Sequence, residues 1–173
     1  MRMKIVKLRD KCKDPFTNQP ITMRLVKVFN EPTVVGKLHF HNDHLYNMKI
    51  NDPKHKLYLY LNHPDYNDNS DFNKYRKLCG LMLPIQVKDL RKRYHLSTRE
   101  LGAVLGISHA TISNVENNNQ VQSVALDTIL RSLQNPSVMS RLIDDHLRLF
   151  KFNKSGKINI KELMEKGNSI SKI

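Results

Sequence analysis

Cysteine is scarce in this chain. Two residues, Cys12 and Cys79, among 173 are too few for a disulfide framework or for a zinc site built from four thiolates. Both are expected to be reduced thiols. No apolar run is long enough to span a bilayer, and the opening MRMKIVKLRD alternates basic with apolar residues where a signal peptide would carry an apolar block. A cytoplasmic protein without membrane contact is expected. Also missing are HExxH, a phosphate-cradling glycine loop and GxSxG, so no catalytic residue and no cofactor is expected. A nuclease using the histidines and acids around Asp43 is the one enzyme class left open. Acids are few as well: 16 against 29 Lys and Arg, a net charge of +13 that favours a polyanionic partner. The excess sits at the ends, with eight cations against two acids in residues 1–30 and eight against four in 134–173, but only six against four in 87–133. The basic ends are therefore expected to contact phosphates, which position a protein on DNA without specifying sequence.

What the chain does have is concentrated between Leu90 and Leu133. Val87, Leu90 and Tyr94 recur at helical spacing, which lets a first helix bury one face. Leu96 follows as core. Ser97 with Glu100 makes a capping box, so a second helix starts near Thr98. It buries Leu101, Val104 and Leu105 and stops at Gly106, which can take the left-handed conformation of a sharp turn. Ser108 is the next cap. Ile112 and Val115 face inward from a third helix and leave His109, Ala110, Ser113, Asn114 and Asn117 on its outer side, a short polar surface of the kind that enters a groove. Asn117 to Asn119 end that helix, and Val124 to Leu133 supplies a fourth that closes the core.

This window resembles the Xre/Cro-like helix-turn-helix repressors over about a quarter of the chain. The resemblance implies that the third helix lies in the major groove of double-stranded operator DNA, with base contacts from His109, Ala110, Ser113 and Asn114. Phosphate contacts fall to Ser97, Thr98 and Arg99, with Asn117 added from the same outer side. It also implies a structural pair between Arg91 and Glu116. Thr98 stands where the family commonly has Gln, and its reach to base edges is shorter. Ser97 and Ser108 are caps first in either reading.

Upstream, Ile21–Phe29, Thr33–Phe40 and Lys56–Leu61 have the β-branched, aromatic and alternating character of strands, separated by Asn30-Glu31-Pro32, a turn at His41–Asp43, and Asn51-Asp52-Pro53. His63–Asn73 reads as a loop or linker, followed by a short helix around Tyr75–Leu83. Of the histidines His39, His41, His44, His55 and His63, the first three lie close enough in a strand to make a metal site conceivable. No Cys or Glu stands at a familiar spacing, so no metal is expected. CKDPFTNQPI, from Cys12, looks like a zinc-ribbon knuckle lacking its second cysteine. The order of a small β-rich domain, this module and LQNPSVMSRLI is similar to the MqsA-type antitoxins, which implies a partner-binding N-terminal domain.

Downstream, Asn135 and Pro136 open a fifth helix with Val138, Met139, Leu142, Ile143, His146, Leu147 and Phe150 on one side, a stripe wide enough to serve the core and a homodimer contact. Lys151–Glu162 superficially fits an EF-hand loop, but Lys151 stands where the first carboxylate ligand belongs; a glycine turn into a short basic helix is the better reading. The expected fold class is α+β. A β-rich partner-binding or dimerisation domain (1–83) precedes an all-α five-helix domain (84–150) and a basic C-terminal extension (151–173). The expected function is an autoregulatory, antitoxin-like repressor acting as a homodimer. The rival is a protein-binding inhibitor, with a toxin or effector held by residues 1–83 and DNA binding secondary.

Overall fold

In a computed structural model, which describes residues 2–150 and 158–170 and, at 147–150 and 160, the backbone alone, the chain forms two compact units, Met1–Tyr75 and Arg76–Ile173. Strands come first and helices after them, giving the expected α+β class. The first unit is a four-stranded antiparallel meander, β1 (Arg2–Lys13), β2 (Pro20–Val35), β3 (Leu38–Lys49) and β4 (Leu57–Leu59), in spatial order β1-β2-β3-β4. α1 (Tyr66–Cys79) follows and runs across the division between the units.

Several expectations need correcting here. Asn30-Glu31-Pro32 is not a turn: β2 runs through it, absorbing one extra residue as an irregularity of register between Val28 and Glu31 with Asn30 at φ 55°. The Asn30 N–H finds its acceptor in the Asp43 carboxylate (3.0 Å), which satisfies one donor that the bulge takes out of the ladder. The reversal lies instead at Gly36, φ 59°, and His41–Asp43 stays inside β3. The basic opening of the chain is itself a strand, β1, and the zinc-knuckle-like segment is the β1–β2 hairpin, where Asp14 Oδ1 accepts from the N–H groups of Phe16 (2.9 Å) and Thr17 (3.0 Å). Most of His63–Asn73 is helix rather than linker.

That helix is held by polar contacts. Asn67 accepts from Leu45 N–H (2.8 Å) and donates to Leu45 C=O (2.9 Å), taking the place of a strand partner on β3. His44 is buried between two carboxylates, with Nδ1 2.9 Å from Glu31 Oε2 and Nε2 2.8 Å from Asp71 Oδ1. Tyr46 donates its hydroxyl to the same Glu31 oxygen at 2.9 Å. Burial opposes the charged imidazole, but the two carboxylates outweigh it and raise the His44 pKa.

The second unit contains α2 (Pro84–Arg93), α3 (Thr98–Leu105), α4 (His109–Glu116), α5 (Val124–Ser132), α6 (Pro136–Phe150) and α7 (Ile160–Ile170). Tyr94, Leu101, Ile112, Leu130, Leu133, Met139 and Ile143 form its core. Leu163 and Ile170 of α7 are buried in the same cluster, so the last helix is part of the domain and not an extension from it. Residues 151–157, most of the EF-hand-like loop, lie outside the described residues. Met139 and Ile143 of the α6 stripe are spent on this core while Val138 and Leu142 are partly buried; Leu147 and Phe150 lie outside the described side chains.

Candidate nucleic-acid interface

The α3–α4 corner is built from local signals. Ser97 Oγ accepts from Glu100 N–H at 3.2 Å while Glu100 Oε2 accepts from Ser97 N–H at 2.6 Å, closing the capping box. α3 ends at Gly106 in the left-handed region, φ 68°. The turn after it passes so close to Gly102 that a Cβ there would stand 2.9 Å from the Ile107 carbonyl oxygen. Ser108 caps α4 by accepting from Ala110 N–H at 3.1 Å. With Ile112 and Val115 turned fully inward, His109, Ala110 and Asn114 are exposed and Ser113 is half-buried.

Ser97, Thr98, Arg99, His109, Ala110, Ser113 and Asn114 together line one open cleft of about 420 Å³. Residues expected from two different helices, one set for phosphates and one for bases, are thus brought to one surface. Asn117 stands one turn further along α4 as its C-cap, with its side-chain amide donating to Ser113 Oγ at 3.3 Å; it does not line the cleft. Arg91 and Glu116 meet as a two-point pair, Nε to Oε1 at 2.7 Å and the second nitrogen to Oε2 at 2.6 Å, and Arg91 also donates to the Leu96 carbonyl at 2.7 Å. The carboxylate raises the Arg91 pKa. The pair ties α2 to the end of α4.

Two supports of this corner were not expected. Arg76 is completely buried, yet its guanidinium faces neutral acceptors: Gln122 Oε1 at 2.9 Å, the Gln120 carbonyl at 2.7 Å and Asn118 Oδ1. Burial lowers its pKa. Gln122 in turn donates to the Met82 carbonyl at 2.7 Å and to Asp127 at 3.0 Å. The loop that ends α4 is therefore pinned from inside, with Asn118 itself in the left-handed region at φ 62°. The second support is Lys166 of α7, 2.7 Å from Glu100 Oε1 in α3. Burial works against the Glu100 charge, but Lys166 and the capping contacts with Ser97 hold its pKa below the ordinary carboxylate value. The run Asn117-Asn118-Asn119 is the only sequence hint of the first support; the second pairs residues 66 apart and leaves none.

Of the five upstream histidines, His39, His41, His55 and His63 are exposed and His44 is occupied as described. Among the described residues no three His, Cys, Asp or Glu side chains gather as a metal-holding group. Both cysteines are free thiols, Cys12 buried and Cys79 exposed. No helix among the described residues is long and apolar enough to cross a membrane.

Residues 87–131 match the helix-turn-helix family model. They run from α2 through α5, and the segment is an Xre-like helix-turn-helix. The protein thus carries a DNA-binding domain in its second unit. No curated protein and no solved structure matches the chain.

Proposed function

We propose that the chain is a sequence-specific repressor that reads double-stranded operator DNA with α4, most simply that of its own promoter. The observation that carries this is the shared cleft: His109, Ala110, Ser113 and Asn114 offer short polar or small groups for base edges, Ser113 with its hydroxyl hydrogen still to donate, while Ser97, Thr98 and Arg99 flank them where a backbone phosphate would lie. Asn114 suits adenine, which an amide can meet at two points. One such module reads only a few base pairs, so a homodimer placing two of them on half-sites about 34 Å apart is part of the proposal. Its contact is assigned to the part of α6 left over from the core, where Val138 and Leu142 border a groove of about 620 Å³ with Val104, Leu105 and Ile129.

The β-rich unit is assigned to partner binding, as in an antitoxin, which keeps the second reading in view: an inhibitor of a protein, with DNA binding secondary. Selection of bound sequences from a random duplex library tests the first. A two-fold symmetric motif supports the repressor; enrichment of no motif rejects it. Loss-of-function substitutions then separate the readings, clustering in α4 for a repressor and in residues 2–75 for an inhibitor.

A further inference from the structure

One face of the sheet carries a feature that the helix-turn-helix does not account for. The register places Arg2 opposite Phe29 and Lys4 opposite Lys27, with Lys7 opposite Leu25 next along the same face. Arg2 and Lys27 both lie over the Phe29 ring, 5.4 Å and 5.1 Å from its centroid. The arrangement repeats at Tyr58, which is opposite Asn47 and hence shares this face; Lys49 and Lys56 lie 5.8 Å and 5.5 Å from its centroid. Strand spacing and rise put the two rings about 16 Å apart. Both rings are part-exposed. The charge is answered in part: Lys27 meets Asp43 at 3.0 Å and Lys7 meets Asp10 at 2.9 Å, while Lys4 directly opposes Lys27, and like charges set opposite one another disfavour the pairing. His44 and Asn42, which hold α1 through Asp71, alternate to the opposite face; on the ring face Asn47 and Asp10 are buried and accept from Leu61 N–H (2.7 Å) and the Asn62 amide (3.1 Å), so the two rings are separate part-exposed points at its ends.

We propose that this face is a second nucleic-acid site, one that takes a single-stranded polynucleotide, with phosphates on Arg2, Lys4 and Lys49 and bases against Phe29 and Tyr58. A single strand can splay its bases onto part-exposed rings while its phosphates draw the cations that now lie over them. A duplex keeps its bases stacked inside, and its major groove admits a helix or a two-stranded ribbon but not the face of a broader sheet. An acidic peptide would answer the cations and leave the rings unused.

The test uses the full chain and a fluorescent oligothymidylate of about 12 nucleotides, a length within the usual site sizes for such platforms. Anisotropy titration is expected to show binding that survives His109→Ala, Ser113→Ala, Asn114→Ala together, which separates this site from the α4 reading. Phe29→Leu with Tyr58→Leu is expected to weaken it by about ten-fold or more. If that double variant fails to fold, Lys4→Gln with Lys49→Gln, both exposed, is expected to lower the slope of log affinity against log salt by about 0.7 for each phosphate no longer neutralised. Oligouridylate in parallel separates RNA from DNA. Unlabelled mixed-sequence duplex displacing the probe as well as the single strand does would overturn the proposal. So would binding untouched by both sets of variants, or oligoglutamate binding where oligothymidylate does not.

Discussion

Arg76 offers the sharpest test of how the end of α4 is held. Its guanidinium is completely buried and donates to Gln122, the Gln120 carbonyl and Asn118, three acceptors on the loop that links α4 to α5. Replacing it by Met keeps the volume and removes every donor. Each buried acceptor left without a partner costs about 1–3 kcal/mol; Gln122 cannot turn to water because it also bonds Met82 and Asp127, whereas the Gln120 carbonyl and Asn118 sit nearer the surface. Removal of the buried Arg charge gives back part of the desolvation cost. The expected net loss is about 3–4 kcal/mol, large against the usual stability of a domain. Lys should not rescue it, since one ammonium cannot span acceptors arranged for a planar fork. The assay is urea denaturation followed by far-UV circular dichroism, with the variant's midpoint compared at equal slope. A loss below about 1 kcal/mol for Arg76→Met, or full rescue by Lys, would refute the reasoning.

The remaining predictions concern pH, charge and assembly. His44 has a folded pKa above its ordinary 6.5, so its stabilising contribution is complete below the unfolded pKa and is lost as pH rises through the folded one; the urea midpoint of the first unit should fall as pH rises above 6.5, and His44→Gln should remove that part of the fall. Converting Lys151, Lys154 and Lys157 to Gln should flatten the salt dependence of operator binding without changing which sequence is preferred; equal slopes would mean those charges are merely solvated. Substitution is needed because deleting the end would also strip Leu163 and Ile170 from the core. The wild type is expected to sediment as the proposed homodimer and Val138→Glu with Leu142→Glu as a monomer; a monomeric wild type rejects the homodimer, and a still-dimeric variant moves the interface elsewhere.

The helix-turn-helix was legible because its signals are local. A serine and a glutamate three apart, a glycine at a corner and a second capping serine each act on neighbouring backbone, and Ile112 with Val115 sets the inward side that leaves the cleft residues outward. Long-range polar contacts conceal the rest. The Asn30–Pro32 stretch reads as a turn until Asp43 and His44, distant in sequence, supply partners for it. α1 lacks a strong apolar stripe, and what fixes it is Asn67 against Leu45 and Asp71 against His44 and Asn42. α7 looked like a basic tail since only Leu163 and Ile170 of its described side chains are buried and Lys166 finds Glu100 across most of the domain.

The most direct measurement of the central claim is the ratio of affinities for selected operator and scrambled duplex, taken at one fixed salt concentration for the wild type and for His109→Ala, Ser113→Ala, Asn114→Ala combined. Base contacts of this kind contribute about 1–3 kcal/mol of discrimination each, so the wild-type ratio is expected to collapse toward one in the variant, with binding to scrambled DNA and the helical content retained. An unchanged ratio in a folded variant would contradict the assignment of α4 as the reading helix.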